Sequence, residues 1–292
     1  MKPPAFDYHR ATSVSDVLDA LADDPADDTK VLAGGQSLMT LMNLRLARPA
    51  LLVDIGDLAE LARTFDDIDD VVLGALVRHR TLEKDPRVAV RLPMIAEAAR
   101  HIGHVGIRNR GTLGGALAHA DPAGELPTVM VAAGATIHVE SSRGRREIPA
   151  EDFFVSVFTT QLEPDELITW VTVPAARPGQ GWGFVEYAER HGDYALAGAA
   201  CLVDLDDAGR VGGVRAALIA AADRPLLVSD PSDIVGDDPT DEAWARLART
   251  WAQRAQPLGD DPDYVRELSA DALTEALAAA HRRARAAREE AA

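Results

Sequence analysis

Val14, Val17, Leu18 and Leu21 recur at helical spacing behind Ser13, with Asp16 three residues after the serine, which predicts a capped amphipathic helix near the start of the chain. A short apolar run, Val31-Leu32-Ala33, then leads through a glycine pair into a second stripe, Leu38, Leu41, Met42 and Leu44, closed by Pro49. Leu51 to Ile55 is a compact apolar run of strand length, so residues 30–56 read as a small β-α-β unit with its helix start at the glycines. From Thr81 to Ile102 the pattern is helical with an interruption around Pro93, and an apolar helix follows near Leu126 to Ala133. Thr136 to Val139 and Leu167 to Val173 read as strands.

The texture changes at residues 174–183, which are rich in Pro and Gly. Beyond them Phe184 to Ala188, Leu196 to Leu205 and Val211 to Ala220 read as an antiparallel meander, followed by helices over Asp241 to Ala255 and about Asp263 to Ala292. The expected organisation is a first domain over residues 1–175, with subdomains of about 1–57 and 58–175, and a C-terminal sheet-plus-helices domain over 180–292.

Composition removes several classes of function. The chain has 292 residues, 47% hydrophobic and 26% charged, enough for two or three cores. A formal charge of -17 opposes nucleic-acid and anionic-lipid binding, so neither is expected as a partner. No apolar run approaches the roughly 20 residues of a membrane span, and the first residues lack a leader's apolar stretch; a cytoplasmic location is expected. Cys201 is the only cysteine, which excludes an intrachain disulfide and an iron–sulfur cluster ligated by this chain alone. His101, His104 and His119 have no carboxylate or thiol at ligand spacing, so no metal site is expected.

The chemistry concentrates in two glycine loops, Ala33-Gly34-Gly35-Gln36-Ser37-Leu38 and Gly111-Thr112-Leu113-Gly114-Gly115. No charged side chain lies between Val31 and Leu44, and between Gly111 and Ala120 only His119 can carry one. Glycine lets backbone N–H groups approach a bulky anion, and a helix N-terminus offers unpaired N–H groups, so together the loops suit a diphosphate held by main-chain dipoles. Ser37 and Thr112 add hydroxyls. Taken singly, each pair is equally well a tight strand-to-helix turn. The glycines are adjacent rather than spaced as in the dinucleotide fingerprint, and no Lys-Ser or Lys-Thr follows them, which disfavours a nicotinamide fold and a P-loop.

The first loop, continued by Asn43-Leu44-Arg45-Leu46-Ala47-Arg48-Pro49, resembles the first FAD motif of the medium subunit of molybdenum hydroxylases, the xanthine dehydrogenase and aerobic carbon monoxide dehydrogenase family. Ile102 to Gly115 with Ala118 to Pro127 is similar to that family's second motif, and Arg190 to Leu196 to a third segment. The resemblance spans nearly the whole chain. It implies an α+β fold: two α/β FAD-binding subdomains of the vanillyl-alcohol-oxidase-like (PCMH) kind, then a C-terminal domain of a three-stranded antiparallel sheet and helices. It also implies FAD as cofactor, held through Ala33, Gly34, Gly35, Gln36, Ser37, Leu38, Gly111, Thr112, Gly114 and Gly115. Glu125 stands where the family has an acid on the cofactor, Tyr194 where an aromatic lies near the flavin ring, and Ile168 where backbone meets the adenine end. His101 and Ile102 fall in a stretch near the flavin. Ala116 replaces the family's usual Asn.

No catalytic side chain is implied. The expected partners are a molybdopterin-containing large subunit and a [2Fe-2S] small subunit, assembled as a dimer of heterotrimers in which this chain passes electrons to an external acceptor. A stand-alone FAD-dependent oxidoreductase of the same fold and a non-redox nucleotide-binding assembly subunit are the alternatives.

Overall fold

A computed structural model describes residues 2–24, 28–229 and 238–291. The chain begins with β1 (Asp7–Arg10), α1 (Val14–Ala22), β2 (Thr29–Leu32), α2 (Leu38–Asn43) and β3 (Leu51–Asp54). The three strands form a parallel sheet in the order β1-β3-β2, so the expected β-α-β unit is joined by one further strand. Ser13 caps α1 by accepting the Asp16 N–H at 3.1 Å, and Asp16 in return accepts the Thr12 N–H at 2.8 Å. Val17, Leu18 and Leu21 turn inward against Val53, Ile55 and Leu61, as their spacing predicts.

Next come β4 (Thr64–Asp66), β5 (Asp70–Gly74), α3 (His79–Lys84), α4 (Pro86–Arg91), α5 (Pro93–His101), α6 (Val105–Arg110), α7 (Leu113–His119), α8 (Glu125–Ala133), β6 (Thr136–Ser141) and β7 (Gly144–Pro149). The segment expected to be helical from Thr81 is three helices, because Pro86 and Pro93 each start a new one at the position where a missing N–H costs nothing. A short helix α9 (Ala150–Phe153), a hairpin β8 (Phe154–Ser156) and β9 (Thr159–Thr160), and β10 (Leu167–Pro174) follow. An antiparallel five-stranded sheet, β4-β5-β10-β6-β7, sends Leu73, Ile137, Val139, Val171 and Val173 into a core closed by the helices. In sequence Asp121-Pro122 reads as a helix cap followed by a proline at the first helical position, yet Asp121 does not cap α8. It accepts the Ala123 N–H at 2.9 Å in a turn, and Gly124 stands at the cap.

β11 (Gln180–Tyr187), β12 (Ala197–Leu205), β13 (Val211–Ile219) and β14 (Leu226–Leu227) form an antiparallel sheet, completed by α10 (Asp241–Ala252) and α11 (Pro262–Ala291). The expected three-stranded sheet thus has a fourth strand of two residues, too short to carry any alternation. One face of this sheet joins the helical core through Phe184, Ala200 and Ile219. The other packs Ala199, Cys201 and Val203 against Trp244, Trp251 and Leu277. Cys201 is fully buried and burial pushes its thiol up to about 12, so it behaves as a small hydrophobe. Among the described residues no helix is long and apolar enough to cross a membrane, and no group of three or more His, Cys, Asp or Glu side chains could hold a metal ion.

Candidate cofactor-binding site

The first glycine loop joins β2 to α2. Gly35 has φ +72°, in the left-handed region, and this turns the chain from strand to helix within two residues. Gln36 folds back, its amide nitrogen donating to the Gly34 carbonyl at 3.1 Å. Ser37 stands at the cap position of α2 but its hydroxyl makes no capping bond. Among the described residues, no protein acceptor takes the N–H of Gly34, Gly35, Gln36, Ser37 or Leu38. A run of unpaired donors at a helix start is a site prepared for an anion.

The second loop, between α6 and α7, is the opposite. The Leu113 N–H donates to the Val77 carbonyl at 2.9 Å, and the Gly114 N–H to the Ala75 carbonyl at 2.8 Å. The Gly115 N–H is taken by the Thr112 hydroxyl oxygen at 3.2 Å, which makes Thr112 the cap of α7. A Cβ on Gly114 would lie 2.6 Å from that of Ala75, so this glycine exists for close packing. Among the described residues, only the Thr112 N–H is left without a protein acceptor across Gly111 to Gly115.

The loops meet. A Cβ on Gly34 would run into the Arg110 carbonyl and lie 2.9 Å from the Gly111 Cα, and one on Gly115 would sit 3.9 Å from the Ala33 Cβ. Two groups absent from the sequence reading hold this junction. Arg78 donates to the Arg110 carbonyl, the oxygen that touches Gly34. His79, buried, donates from Nε2 to the Thr112 carbonyl at 2.9 Å, and burial lowers it to about 4, so the ring is neutral. Its Nδ1 is buried without a hydrogen-bond partner among the described residues. Arg108, also buried, bonds Glu83 at 2.9 Å and the Ile102 and Gly103 carbonyls at 3.0 and 2.7 Å, and so fixes the turn into α6. Burial raises the Glu83 carboxyl, but the bonds from Arg80, Lys84 and Arg108 outweigh it and hold the group at about 2. Both glycine loops are free of cations in sequence, yet Arg78 reaches their junction from outside the motifs, and Arg110 stands there just ahead of Gly111. Nothing in local spacing signals Arg78, which acts on a loop some thirty residues away.

A second group of side chains gathers where β11 and the loop after it meet α5 and α8. The loop doubles back so that a Cβ on Gly192 would be 3.0 Å from the Gly103 carbonyl. Tyr194, on that loop, is 69% exposed, and burial of its hydroxyl end, then Asp121 and Glu125, raise its pKa. His101 at the end of α5 sets its ring edge-on to Phe184, with centroids 5.1 Å apart. Ile102 follows it and gives its carbonyl to Arg108. Glu125 opens α8, where burial, and next Glu186, push its carboxyl up to about 8. Ile168 lies in β10 beside a register shift; the adjoining Thr169 carbonyl accepts the Ala75 N–H at 2.9 Å, and Ala75 in turn receives Gly114. The structure therefore brings Ala33 and Gly34 against Gly111 and Gly115, links the strand that carries Ile168 to Gly114 through Thr169 and Ala75, and sets Glu125, His101, Ile102 and Tyr194 in a separate group.

A nucleotide diphosphate fits the first group: free main-chain donors, a glycine-to-glycine contact that keeps side chains out, and two guanidinium-bearing residues beside it. The sequence profile described as FAD binding domain in molybdopterin dehydrogenase matches residues 4–176. The chain is 44% identical to the 6-hydroxypseudooxynicotine dehydrogenase complex subunit alpha of Paenarthrobacter nicotinovorans over 81% of its own length and 80% of that protein. It is 36% identical to the carbon monoxide dehydrogenase medium chain of Hydrogenophaga pseudoflava over 96% and 98%. Against the solved carbon monoxide dehydrogenase from that organism, which lacks the Mo-pyranopterin moiety of the molybdenum cofactor, the TM-score is 0.93 at 36% identity, covering 97% of this chain and 99% of that one. The free donors of the first loop, the second loop pressed against it and these likenesses lead to one family, and the chain belongs to it: it is an FAD-binding medium subunit of the molybdenum hydroxylases.

Proposed function

We propose that residues Ala33, Gly34, Gly35, Gln36, Ser37 and Leu38 grip the FAD diphosphate with main-chain donors, while Gly111, Thr112, Gly114 and Gly115 form the opposing wall. Glu125 accepts from cofactor hydroxyls, Tyr194, His101 and Ile102 border the flavin end, and Ile168 the adenine end. Residues 1–175 act as the FAD-binding domain, with subdomains of about 1–57 and 58–175 of the vanillyl-alcohol-oxidase-like kind, and 180–292 as the C-terminal domain built on the sheet's three long strands. The single observation behind this reading is the contact of Gly34 with Arg110 and Gly111, which joins a loop of unpaired N–H groups to the second motif.

Bound FAD supplies the capacity to exchange electrons singly and in pairs; the chain supplies binding, orientation and electrostatics. The chain does four things. The main chain of the first loop neutralises negative charge with dipoles, Arg78 and Arg110 add positive charge at the loop junction, His79 and Arg108 fix the second loop's backbone, and Tyr194 covers one side. The chain receives electrons from the [2Fe-2S] clusters of a small subunit, downstream of a molybdopterin-containing large subunit, and delivers them to an external acceptor. A cytoplasmic dimer of heterotrimers is the assembly we infer. Its substrate is set by the large subunit, and the relatives named for carbon monoxide and for a nicotine derivative support either class. The test is the flavin spectrum of the complex purified by a tag on this chain. One FAD per chain, bleached by substrate, with iron, sulfide and molybdenum in the same fraction, is the expected result. A bleachable flavin without those partners would move the assignment to a stand-alone oxidoreductase, and no flavin at all would leave an assembly subunit.

A further inference from the structure

β11 ends at Tyr187 and β12 begins at Ala197, and residues 188–196 between them form a closed loop. The Leu196 N–H donates to the Tyr187 carbonyl at 2.8 Å across its base, and the Asp193 N–H to the Arg190 carbonyl at 3.0 Å at its tip. Gly192, inside that tip turn, has φ +88°. Its backbone lies directly on the Gly103 peptide: a Cβ at 192 would be 3.0, 3.1 and 3.4 Å from the Gly103 carbonyl oxygen, carbonyl carbon and Cα. Conformation and space both reserve this seat for glycine. Beside it the His191 ring stands 6.2 Å from that of His101.

The seat itself is anchored from the other side. Gly103 lies between α5 and α6, and Arg108 Nη1 donates to its carbonyl at 2.7 Å and to that of Ile102 at 3.0 Å, while Nε donates to Glu83 at 2.9 Å. Glu83, buried like Arg108, is also bonded by Arg80 at 2.9 Å and by Lys84 at 3.1 Å. The guanidinium is thus fixed at both ends. A continuous line runs from α3 through Glu83, Arg108 and the Gly103 carbonyl to Gly192. Tyr194 stands two residues beyond, 69% exposed, and among the described residues no hydrogen bond or ring contact holds its side chain. Ala195 behind it is buried in the helical core. The backbone on either side, pinned at Gly192 and at Ala195, therefore sets where the Tyr194 ring stands.

We propose that the contact of Gly192 with Gly103, held by Arg108, positions Tyr194 at the flavin end of the cleft, which makes Gly192 and Arg108 positioning residues for the cofactor. The proposal rests on reading Tyr194 as the residue that borders the flavin. A side chain at 192 lifts the tip off its seat, and Tyr194 moves with it. Because the seat belongs to the stretch that leads into the second glycine loop, the cofactor's aromatic border and its glycine wall keep their spacing before any cofactor arrives.

The experiment uses the full chain purified with the subunits that assemble on it, carrying FAD, and compares Gly192→Ala, Tyr194→Ala and the double variant. FAD release, followed by flavin fluorescence, should be about ten-fold faster in each single variant than in wild type, the order expected for one lost aromatic contact. The double variant should release FAD no faster than either single one, because Gly192 acts only through Tyr194. The visible circular dichroism of the bound flavin should change alike in all three. Arg108→Lys keeps a cation beside Glu83 but loses the fork that spans two carbonyls. In the flavin-free protein, Arg108→Lys and Gly192→Ala should both speed hydrogen exchange over residues 188–196, while Tyr194→Ala leaves it as in wild type. The Arg108→Lys exchange decides the matter even if Gly192→Ala fails to assemble. Single effects that multiply in the double variant, wild-type release from Gly192→Ala, or unchanged exchange in Arg108→Lys each overturns the proposal. Wild-type release and dichroism in Tyr194→Ala, with exchange still faster in Arg108→Lys, overturns instead the placing of Tyr194 at the flavin, and this proposal with it.

Discussion

The two glycine loops look alike in sequence and are built for different work. In the first, from Ala33 to Leu38, main-chain donors are left unpaired, the cap hydroxyl of Ser37 is unused, and a left-handed glycine aims the helix. In the second, Leu113, Gly114 and Gly115 have spent their N–H groups on Val77, Ala75 and Thr112, and Gly114 is a spacer against Ala75. One loop is a donor set waiting for an anion. The other is a finished wall, whose glycines let the first loop come close. On the proposed reading a diphosphate lies against both, and only the first has to stay unsatisfied.

Substitutions separate the two roles. Gly34→Val should have the largest effect, since its side chain meets the Arg110 backbone; both melting temperature and flavin content are expected to collapse, as read by differential scanning calorimetry and the flavin-to-protein ratio. Gly114→Val should cost ~1–3 kcal/mol of stability in the flavin-free chain, because its Cβ reaches the Ala75 backbone, with flavin loss following from the misplaced wall. If denaturant unfolding of that variant matched wild type while FAD was lost, Gly114 would be a ligand contact rather than a spacer.

A pH titration probes what holds the wall. His79 is neutral in the folded chain, with its value lowered to about 4 from an unfolded value near 6.5, so its contribution is complete above about pH 6.5 and is lost as pH falls toward about 4. That loss should reach up to ~3 kcal/mol and disappear in His79→Gln, measured by urea unfolding across that range.

The two hydroxyls give the smallest and cleanest contrast. Thr112→Ala removes a used cap and should cost ~1 kcal/mol of stability. Ser37→Ala should leave the melting temperature unchanged and weaken FAD binding about ten-fold, the loss of one bond to a charged group. Equal effects of the pair on both readouts would erase the distinction between the loops.

Much of this was legible along the chain because its signals are local. Ser13 and Asp16, the Leu38 to Leu44 stripe and the adjacent glycines each report on a few residues of backbone, and a capped helix or a strand-to-helix turn is decided within that span. The prolines at 86 and 93 are equally local: the interruption expected around Pro93 is there, and Pro86 adds a second break within Thr81 to Ile102. β14 escaped notice because two residues carry no period, and Asp121 imitated a cap while serving a turn three residues ahead of the helix.

The sequence by itself determined the glycine loops, the elements that flank them and the absence of a cysteine set, since conformational preference and composition need no distant partner. Only the tertiary structure decided that Gly34 faces Gly111, that Arg78 brings its guanidinium to the Arg110 carbonyl at that junction, and that His79 and Arg108 brace the second loop. Such pairings join residues tens of positions apart, and their hydrogen bonds and desolvation exist only once the sheets and helices have closed around them.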